Sequence, residues 1–544
     1  MISKIDPAKC TGCGTCFKSC GLDVFRLDTS GKEISPCMGE CPAGNDIRTV
    51  NYLLQQSRIY EALAVLKTTM PFPAVTGRVC PHLCESKCSR RSADEAVNIN
   101  AIEEFLGGFD LDDAAPSIVR RHLERVAVAG SGPAGLAAAW YLALAGYPVT
   151  VFEERNELGG MLRYGIPEYR LPVRILDGYL EKMRSIGVEF VTNTRIGRGE
   201  SVSLKVLEER GFKALVLAIG ASVGRELPVK NIIPNSPDLY NGVDFLAEAR
   251  SAQAPDIAGK RVLVVGGGNV AVDVAITAVR LAASAVTIVC LEQRGDMPAF
   301  DREIEDAVRY GVTLVNGWGP DEIRYACGRI NGLKCVRCTS LRDEDGRFAP
   351  VFNCAETLDL DADVIVGAIG QKVDASGFSD CVDLADNGCV IADPVSAATS
   401  CRTVFAAGDA VTGPASVVQA IRGGREAAYS VERMLQGMNI HLGRQEPRPV
   451  ANMDAEAHVR SAPRHERTIL PPGSEDSHVP FPVETVLAEA MRCLTCGSKA
   501  YICYADDCMT CFSCEVNCPS GAVTVDPFKE VLPRALPEGV FVHD

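Results

Sequence analysis

The chain has 544 residues, 47% of them hydrophobic, with a formal net charge of −15 and 24 cysteines. It is long enough for several separately packed domains, and its acidity opposes a nucleic acid partner, since binding phosphates takes clustered Lys and Arg. The opening MISKIDPAKC has no apolar secretory core and no segment offers about 18 uninterrupted apolar residues for a bilayer span, so a cytoplasmic location is expected, with reduced thiols free to bind metal.

Residues 1–30 carry Cys10, Cys13, Cys16 and Cys20 in the spacing C-x2-C-x2-C-x3-C. Three thiolates two residues apart must come from one tight loop. That suits three corners of a cuboidal iron-sulfur cluster, whereas zinc sites usually separate two C-x2-C pairs. Zinc or plain buried thiols are the competing reading, with more weight here because Gly21 stands where such motifs usually have proline. Residues 31–120 read as helical: Asp46 can cap IRTVNYLLQQ, and RIYEALAVLK has apolar residues at three- and four-residue spacing. Around these helices sit Cys37, Cys41, Cys80, Cys84 and Cys88, the last two one helical turn apart.

From Val126 the texture becomes β-branched runs, Gly-rich turns and Ala-rich helices, which predicts parallel sheets of α/β type. The pattern occurs twice. In VAVAGSGPAGLAAAWYLALAGYPVTVFEE, Gly130, Gly132 and Gly135 fill G-x-G-x-x-G between a strand and a helix, and Glu153 ends the next strand 21 residues after Gly132. The first glycine makes the turn, the second admits a pyrophosphate, the third brings helix against strand, and the acid can bind an adenosine ribose. The second copy, RVLVVGGGNVAVDVAITAVRLAASAVTIVCLEQR, places Gly266, Gly268, Asn269 and Ala271 in the turn and Glu292 after its strand. A carboxylate accepts from a free 2′-hydroxyl and repels a 2′-phosphate, so NAD(H) is favoured over NADP(H), a preference that Arg294 moderates. The strands DVIVGAIGQ, with Gly370, and TVFAAGDAV, with Gly408 and Asp409, end in the turns that close such domains. The expected units are 121–255 and 376–440 for the first nucleotide domain and 256–375 for the second.

Residues 441–483, rich in Pro, His and charge, read as an extended linker. Residues 484–544 hold a short helix, then Cys493, Cys496 and Cys503, then Cys508, Cys511, Cys514 and Cys518 repeating the first motif before Pro519. Two such motifs in a ferredoxin exchange their fourth cysteines. The two ends of the chain can therefore dock as one split ferredoxin, with Cys20 and Cys518 exchanged. Alternatively each module stays separate and Cys493, Cys496 and Cys503 join the C-terminal one. Cys335 and Cys338 form a C-x2-C pair on a strand-like stretch whose alternation points them to opposite sides, a structural rather than redox pair. Cys290, Cys327, Cys354, Cys381, Cys389 and Cys401 read as packed thiols.

Residues 125–435 resemble the two-dinucleotide-binding flavoproteins of the thioredoxin reductase and glutamate synthase small-subunit group, and GGMLRYGIPEYRLP, with Gly160, and MPAFDREIEDAVRYGV are similar to the glutamate synthase branch. The resemblance implies FAD in the first site, touched by Asp409, and nicotinamide in the second. NADP-binding members of that branch have Arg where this chain has Leu291 and Glu292. The segments SPCMGECPAGNDI and PFPAVTGRVCPHLCESKC resemble the N-terminal iron-sulfur domain of glutamate synthase small subunits and dihydropyrimidine dehydrogenase. On that likeness Cys41, Cys80, Cys84 and Glu103 complete one 4Fe-4S cluster, unless Glu103 is an ordinary solvated helix residue. A second cluster would use Cys37, Cys88 and an upstream C-x2-C pair that this chain lacks unless part of the first module is borrowed. Three or four clusters are expected in all.

These parts imply a path from NADH to FAD and then, one electron at a time, through clusters to a partner oxidoreductase subunit or ferredoxin in a hetero-oligomer. No side chain stands out as an acid or base. The alternatives are an NADPH-dependent glutamate synthase small subunit and, from another class, a non-catalytic cluster scaffold or redox sensor.

Overall fold

A computed structural model of the chain describes residues 1–527 except 235, 252–253, 445–447, 454, 457–460 and 472; the end of the expected C-terminal module, 528–544, lies outside the described residues. Two five-stranded parallel sheets form the centre. The first has the order Val404–Ala406, Phe212–Leu217, Arg125–Ala129, Val149–Phe152, Glu189–Val191. Its central strands are apolar at almost every position because helices cover both faces. The second has the order Thr313–Asn316, Ala285–Cys290, Arg261–Val265, Val364–Gly367, Leu239–Asn241. The chain leaves the first domain along Val223–Gly224 and returns along Gln371–Lys372, and these two short strands pair antiparallel. The second domain therefore starts before the expected residue 256: Leu239–Asn241, only three residues long and without periodicity, already belongs to its sheet.

A three-stranded antiparallel sheet, Trp318–Ala326, Arg329–Arg342 and Phe348–Asp361, flanks the second domain. Cys335 and Cys338 lie on its middle strand and both are buried, because a register shift between Val336 and Arg337 breaks the simple alternation. Cys327 and Cys354 are exposed, contrary to the packed-thiol expectation; one sits in the turn before that strand and the other on the outer strand.

The helices Ile47–Leu54, Ile59–Lys67, Pro73–Val79 and Ile99–Asp112 make the expected helical module. Asp46 Oδ1 accepts from the Thr49 N–H at 3.1 Å, capping the first of them. The module shares one apolar core with the first nucleotide domain. Phe72 meets Trp140 and Tyr179 edge to face, at 6.1 and 5.2 Å between centroids, and Trp140 and Phe72 are both about fully buried. Helices Pro73–Val79 and Ile99–Asp112 cross closely at Gly77, where a Cβ would stand 2.4 Å from the Glu104 backbone. Only glycine permits that approach.

The described part of the expected linker is tied down rather than free: Thr468–Ile469 pairs antiparallel with His478–Val479. Arg464 pairs with Glu85 at 2.9 Å, Arg467 with Glu104 at 3.1 Å, and His478 Nε2 lies 2.9 Å from Glu104. This strap leads into the helix Val483–Met491, which packs on the helical module. Finally, the chain's ends meet. Ile2–Ile5 pairs antiparallel with Val523–Val525, and Phe25–Asp28 pairs antiparallel with Lys499–Ile502.

Candidate functional site

The two Gly-rich turns are built alike. Gly130 has φ +99° and a Cβ there would stand 2.3 Å from the Ala218 carbonyl; Gly266 has φ +138° and the same distance to the Ala368 carbonyl. Each is a strand-to-helix turn that an L side chain would spoil. Gly132 and Gly268 cap the helices Pro133–Leu144 and Asn269–Arg280 and face open space, leaving the helix N-termini free to receive phosphate. Gly135 lies against the Gly130 carbonyl and Ala271 is fully buried in the matching place. Glu153, 5% exposed, accepts from the backbone N–H groups of Ser131 at 2.9 Å and Arg155 at 3.0 Å, so its carboxylate is held at the mouth of the first turn. Glu292 sits over the second turn, where a Cβ on Gly267 would come within 2.7 Å of its carboxylate. Asn269 Oδ1 accepts from the Phe300 N–H at 2.9 Å, which folds the segment Met297–Val312 over that turn.

One cavity of about 1090 Å³ runs through both turns. Gly130, Gly132, Glu153, Gly160 and Asp409 line it on one side and Gly268, Asn269 and Gly370 on the other. Gly135, Gly408, Gly266, Ala271 and Glu292 are not among its lining residues. Burial raises the Asp409 carboxyl to about 6, and its Oδ1 accepts from the Ala415 N–H at 3.2 Å. Between the two halves lies a cluster that sequence reasoning missed. Arg170 Nη1 donates to both Asp273 oxygens at 2.7 Å and its Nη2 donates to Glu303 at 2.6 Å. Burial raises Glu303 to about 7, and Arg170 opposes that by favouring the carboxylate. Val79, Pro81 and Leu83, the residues interleaved with Cys80 and Cys84, also line the cavity.

The 24 thiols are all unpaired, and those on the helical and terminal modules gather in groups. Cys41 and Cys80 neighbour Glu103, whose carboxyl accepts from the Thr76 hydroxyl and is raised by burial to about 7, and Cys84 neighbours Cys41 and Cys80. Glu103 is thus turned inward among thiols and is not a solvated helix residue. At the joined ends, a small cavity is lined by Cys10, Cys13, Cys16 and Cys518. Cys20 lies with Cys508 and Cys514 in the same apolar cluster, and the Ile2 N–H donates to the Cys508 sulfur at 3.2 Å. Cys511 and Cys503 are exposed. Cys493 and Cys496 are not with the C-terminal module: they lie beside Cys37 and Cys88. Among the described residues no three His, Cys, Asp or Glu side chains converge tightly enough to hold a single metal ion. In a cuboidal cluster each thiolate binds its own iron, and the thiolates stand further apart.

The donor sets fit the groups. Open-faced glycines at two helix N-termini suit pyrophosphates, and grouped unpaired thiols suit iron-sulfur centres. Known proteins agree with this anatomy. Residues 124–424 match the pyridine nucleotide-disulphide oxidoreductase family, residues 32–113 the dihydropyrimidine dehydrogenase domain II 4Fe-4S family, and residues 3–26 the 4Fe-4S binding domain. The NADP(+)-dependent formate dehydrogenase subunit beta of Moorella thermoacetica is 35% identical over 430 residues, covering 74% of this chain and 60% of that protein, so the match spans less than two thirds of the relative. The glutamate synthase [NADPH] small chain of Bacillus subtilis is 32% identical over 477 residues, covering 80% of this chain and 92% of that one. Among solved structures, FprA from Mycobacterium tuberculosis superposes with a TM-score of 0.50 at 18% identity over 58% of this chain and 85% of its own, a likeness of fold alone. With its two glycine turns, helical module and thiol motifs accounted for, the chain belongs to the pyridine nucleotide-disulphide oxidoreductase family and carries two segments that match 4Fe-4S domain families.

Proposed function

We propose that the chain is an electron-transfer subunit that moves electrons between NAD(H), FAD and a line of 4Fe-4S clusters, to or from a partner oxidoreductase subunit or ferredoxin. The observation that carries this is the single cavity running from the second glycine turn, past the first, to the wall beside Cys80 and Cys84. A nicotinamide exchanges hydride, a flavin exchanges pairs or single electrons, and a cluster exchanges single electrons. The chain's residues do the positioning. Gly130, Gly132, Gly135, Gly160, Glu153, Gly408 and Asp409 hold FAD; Gly266, Gly268, Asn269, Ala271, Glu292 and Gly370 hold the nicotinamide nucleotide. Arg170 fixes the two halves so that the rings meet.

From the cavity wall the thiol groups run outward in order. Cys41, Cys80, Cys84 and Glu103 come first, then the neighbours of Cys37, then Cys10, Cys13, Cys16 and Cys518, and last Cys508, Cys511, Cys514 and Cys20. The exposed Cys511 in the last group supports an exit to a partner from the docked ends. The all-free cysteines and the absence, among the described residues, of any helix long and apolar enough to cross a membrane support a place in the cytoplasm.

Glu292 selects NADH over NADPH by repelling a 2′-phosphate. The test is anaerobic addition of either nucleotide to the full chain loaded with FAD, iron and sulfide. NADH is expected to bleach the flavin faster than NADPH, and Glu292→Ala to narrow the gap by about tenfold, the worth of one charged contact of ~1.4 kcal/mol. Equal rates in the parent, or an unmoved ratio in the variant, would refute the assignment.

A further inference from the structure

The helical module presents its cysteines in two directions. Cys41 and Cys84 group with Cys80, and Cys41 and Cys80 with Glu103, while Cys37 and Cys88 lie at the other side of this group, in and against the apolar core. Into that gap the strap delivers the C-x2-C pair that follows the helix Val483–Met491, some 400 residues away in sequence.

Its backbone is held there from three sides. Gln55 Nε2 donates to the carbonyls of Ala490 at 2.9 Å and Cys493 at 3.1 Å; Lys18 Nζ donates to those of Met491 at 2.9 Å and Cys493 at 2.6 Å; and Arg90 Nη1 donates to that of Arg492 at 2.7 Å. Arg492 is itself buried and paired with Glu489 at 2.7 Å and Asp94 at 3.1 Å. The Cys496 thiol reaches within 3.5 Å of the Ser89 hydroxyl, the residue after Cys88, while the Cys37 thiol lies 3.1 Å from the Ser35 hydroxyl. Cys37 has Cys493, Cys88 and Cys496 as its thiol neighbours, and Cys496 has Cys493 and Cys88. Four thiols with no disulfide between them, Cys37 and Cys496 buried and Cys88 and Cys493 half-buried, are fixed by Lys18, Arg90 and the Gln55 amide on the backbone carbonyls and share one small space that a common occupant can fill.

We propose that Cys37, Cys88, Cys493 and Cys496 together hold a 4Fe-4S centre, completed by a cysteine pair from the far end of the chain. Each thiol gives up its proton as it binds iron. The centre is the bridge between the helical module and the docked ends. The chain on either side of Cys496 passes directly against the first terminal motif, with Thr495 Oγ1 donating to the Gly12 carbonyl at 2.8 Å and Lys499 Nζ to the Cys10 carbonyl at 2.7 Å. It also staples the strap, because metal binding and local folding are coupled.

The inference rests on the proposed function only in that iron and sulfide are what the thiols take up, and the test keeps the two apart. The full chain and its variants are loaded anaerobically with ferrous iron, sulfide and FAD. Iron, sulfide and flavin are counted, and the dithionite-reduced EPR spectrum is recorded. The double variant Cys493→Ser with Cys496→Ser and the single variant Cys88→Ser are expected to lose the same EPR signal and one cluster's share of iron and sulfide. Both should keep their flavin and its bleaching by NADH. Cys496→Ser alone, which removes one thiol of the set, should alter that same signal and no other, and Cys503→Ser should change nothing. Full iron in the double variant, loss of the signal that Cys508→Ser also removes, or loss of different signals in the double and Cys88→Ser variants would each overturn the assignment. Failure of NADH to bleach the flavin in the parent would instead sink the proposed function and leave the iron count standing.

Discussion

Arg170 is the residue whose removal bears most directly on how the two nucleotide halves are aligned. It comes from the segment after Gly160, on the first domain, and spans to Asp273 and Glu303 on two helices of the second. The three side chains are 19%, 9% and 20% exposed, so the ion pairs are largely desolvated. Arg170→Ala leaves two carboxylates facing each other in a cavity wall. Removing one partner of a buried pair costs about 3–5 kcal/mol, and the partial exposure here argues for the lower end, ~3 kcal/mol. At 1.4 kcal/mol per decade that is about a hundredfold in the population of the aligned arrangement. Stopped-flow mixing with NADH under anaerobic conditions is the assay. The rate of flavin bleaching should fall by one to two decades while flavin content and the iron count stay at parent values. Arg170→Lys, which restores charge but not the fork, should recover only part. A rate within twofold of the parent in Arg170→Ala would refute the role.

Two further outcomes follow from the same geometry. The Asp409 carboxyl is raised from 3.8 to about 6 by burial, so its ionisation works against the folded state. Asp409→Asn should therefore stabilise the flavin-free protein at pH 7 by about 2 kcal/mol, with the gain shrinking as pH falls from 6 through 4 and vanishing below about 3, where the native carboxyl is protonated folded and unfolded alike; thermal unfolding across that range checks it, and a gain that persists unchanged at pH 4 would contradict it. Gly12 has φ +74° and a Cβ there would stand 1.9 Å from the Ser498 carbonyl. Gly12→Ala costs about 1–2 kcal/mol for the backbone alone, and the Ser498 backbone must move as well; limited proteolysis should cut the terminal strands earlier while the nucleotide domains resist as before, and an unchanged digestion pattern would count against the close approach.

Where the chemistry needs a run of residues in one turn, the chain announces it. The turns at Gly130 and Gly266 and the two C-x2-C-x2-C-x3-C motifs are legible because backbone geometry or one tight loop forces the spacing. The exchange of Cys20 and Cys518 was open in the sequence as one of two arrangements, and the pairing of the terminal strands brings those residues to the opposite motif. Other features have no local signal. Cys493 and Cys496 meet Cys37 and Cys88 only through the strap, whose hold depends on single long-range ion pairs such as Arg467 with Glu104. Arg170, Asp273 and Glu303 are scattered charges until two domains fold against each other. The strand Leu239–Asn241 is too short for periodicity, and the register shift at Val336 overturns a simple alternation argument for Cys335 and Cys338. A glutamate such as Glu103 looks solvent-facing on a helix until Gly77 lets a second helix cover it.

The most direct measurement of the account is an anaerobic reductive titration of the fully loaded chain with NADH, following flavin absorbance and low-temperature EPR together. The account predicts uptake beyond the electron pair that a flavin alone can hold, with reduced-cluster signals growing as the flavin bleaches. Uptake that stops at the flavin, with every cluster signal silent, would contradict it.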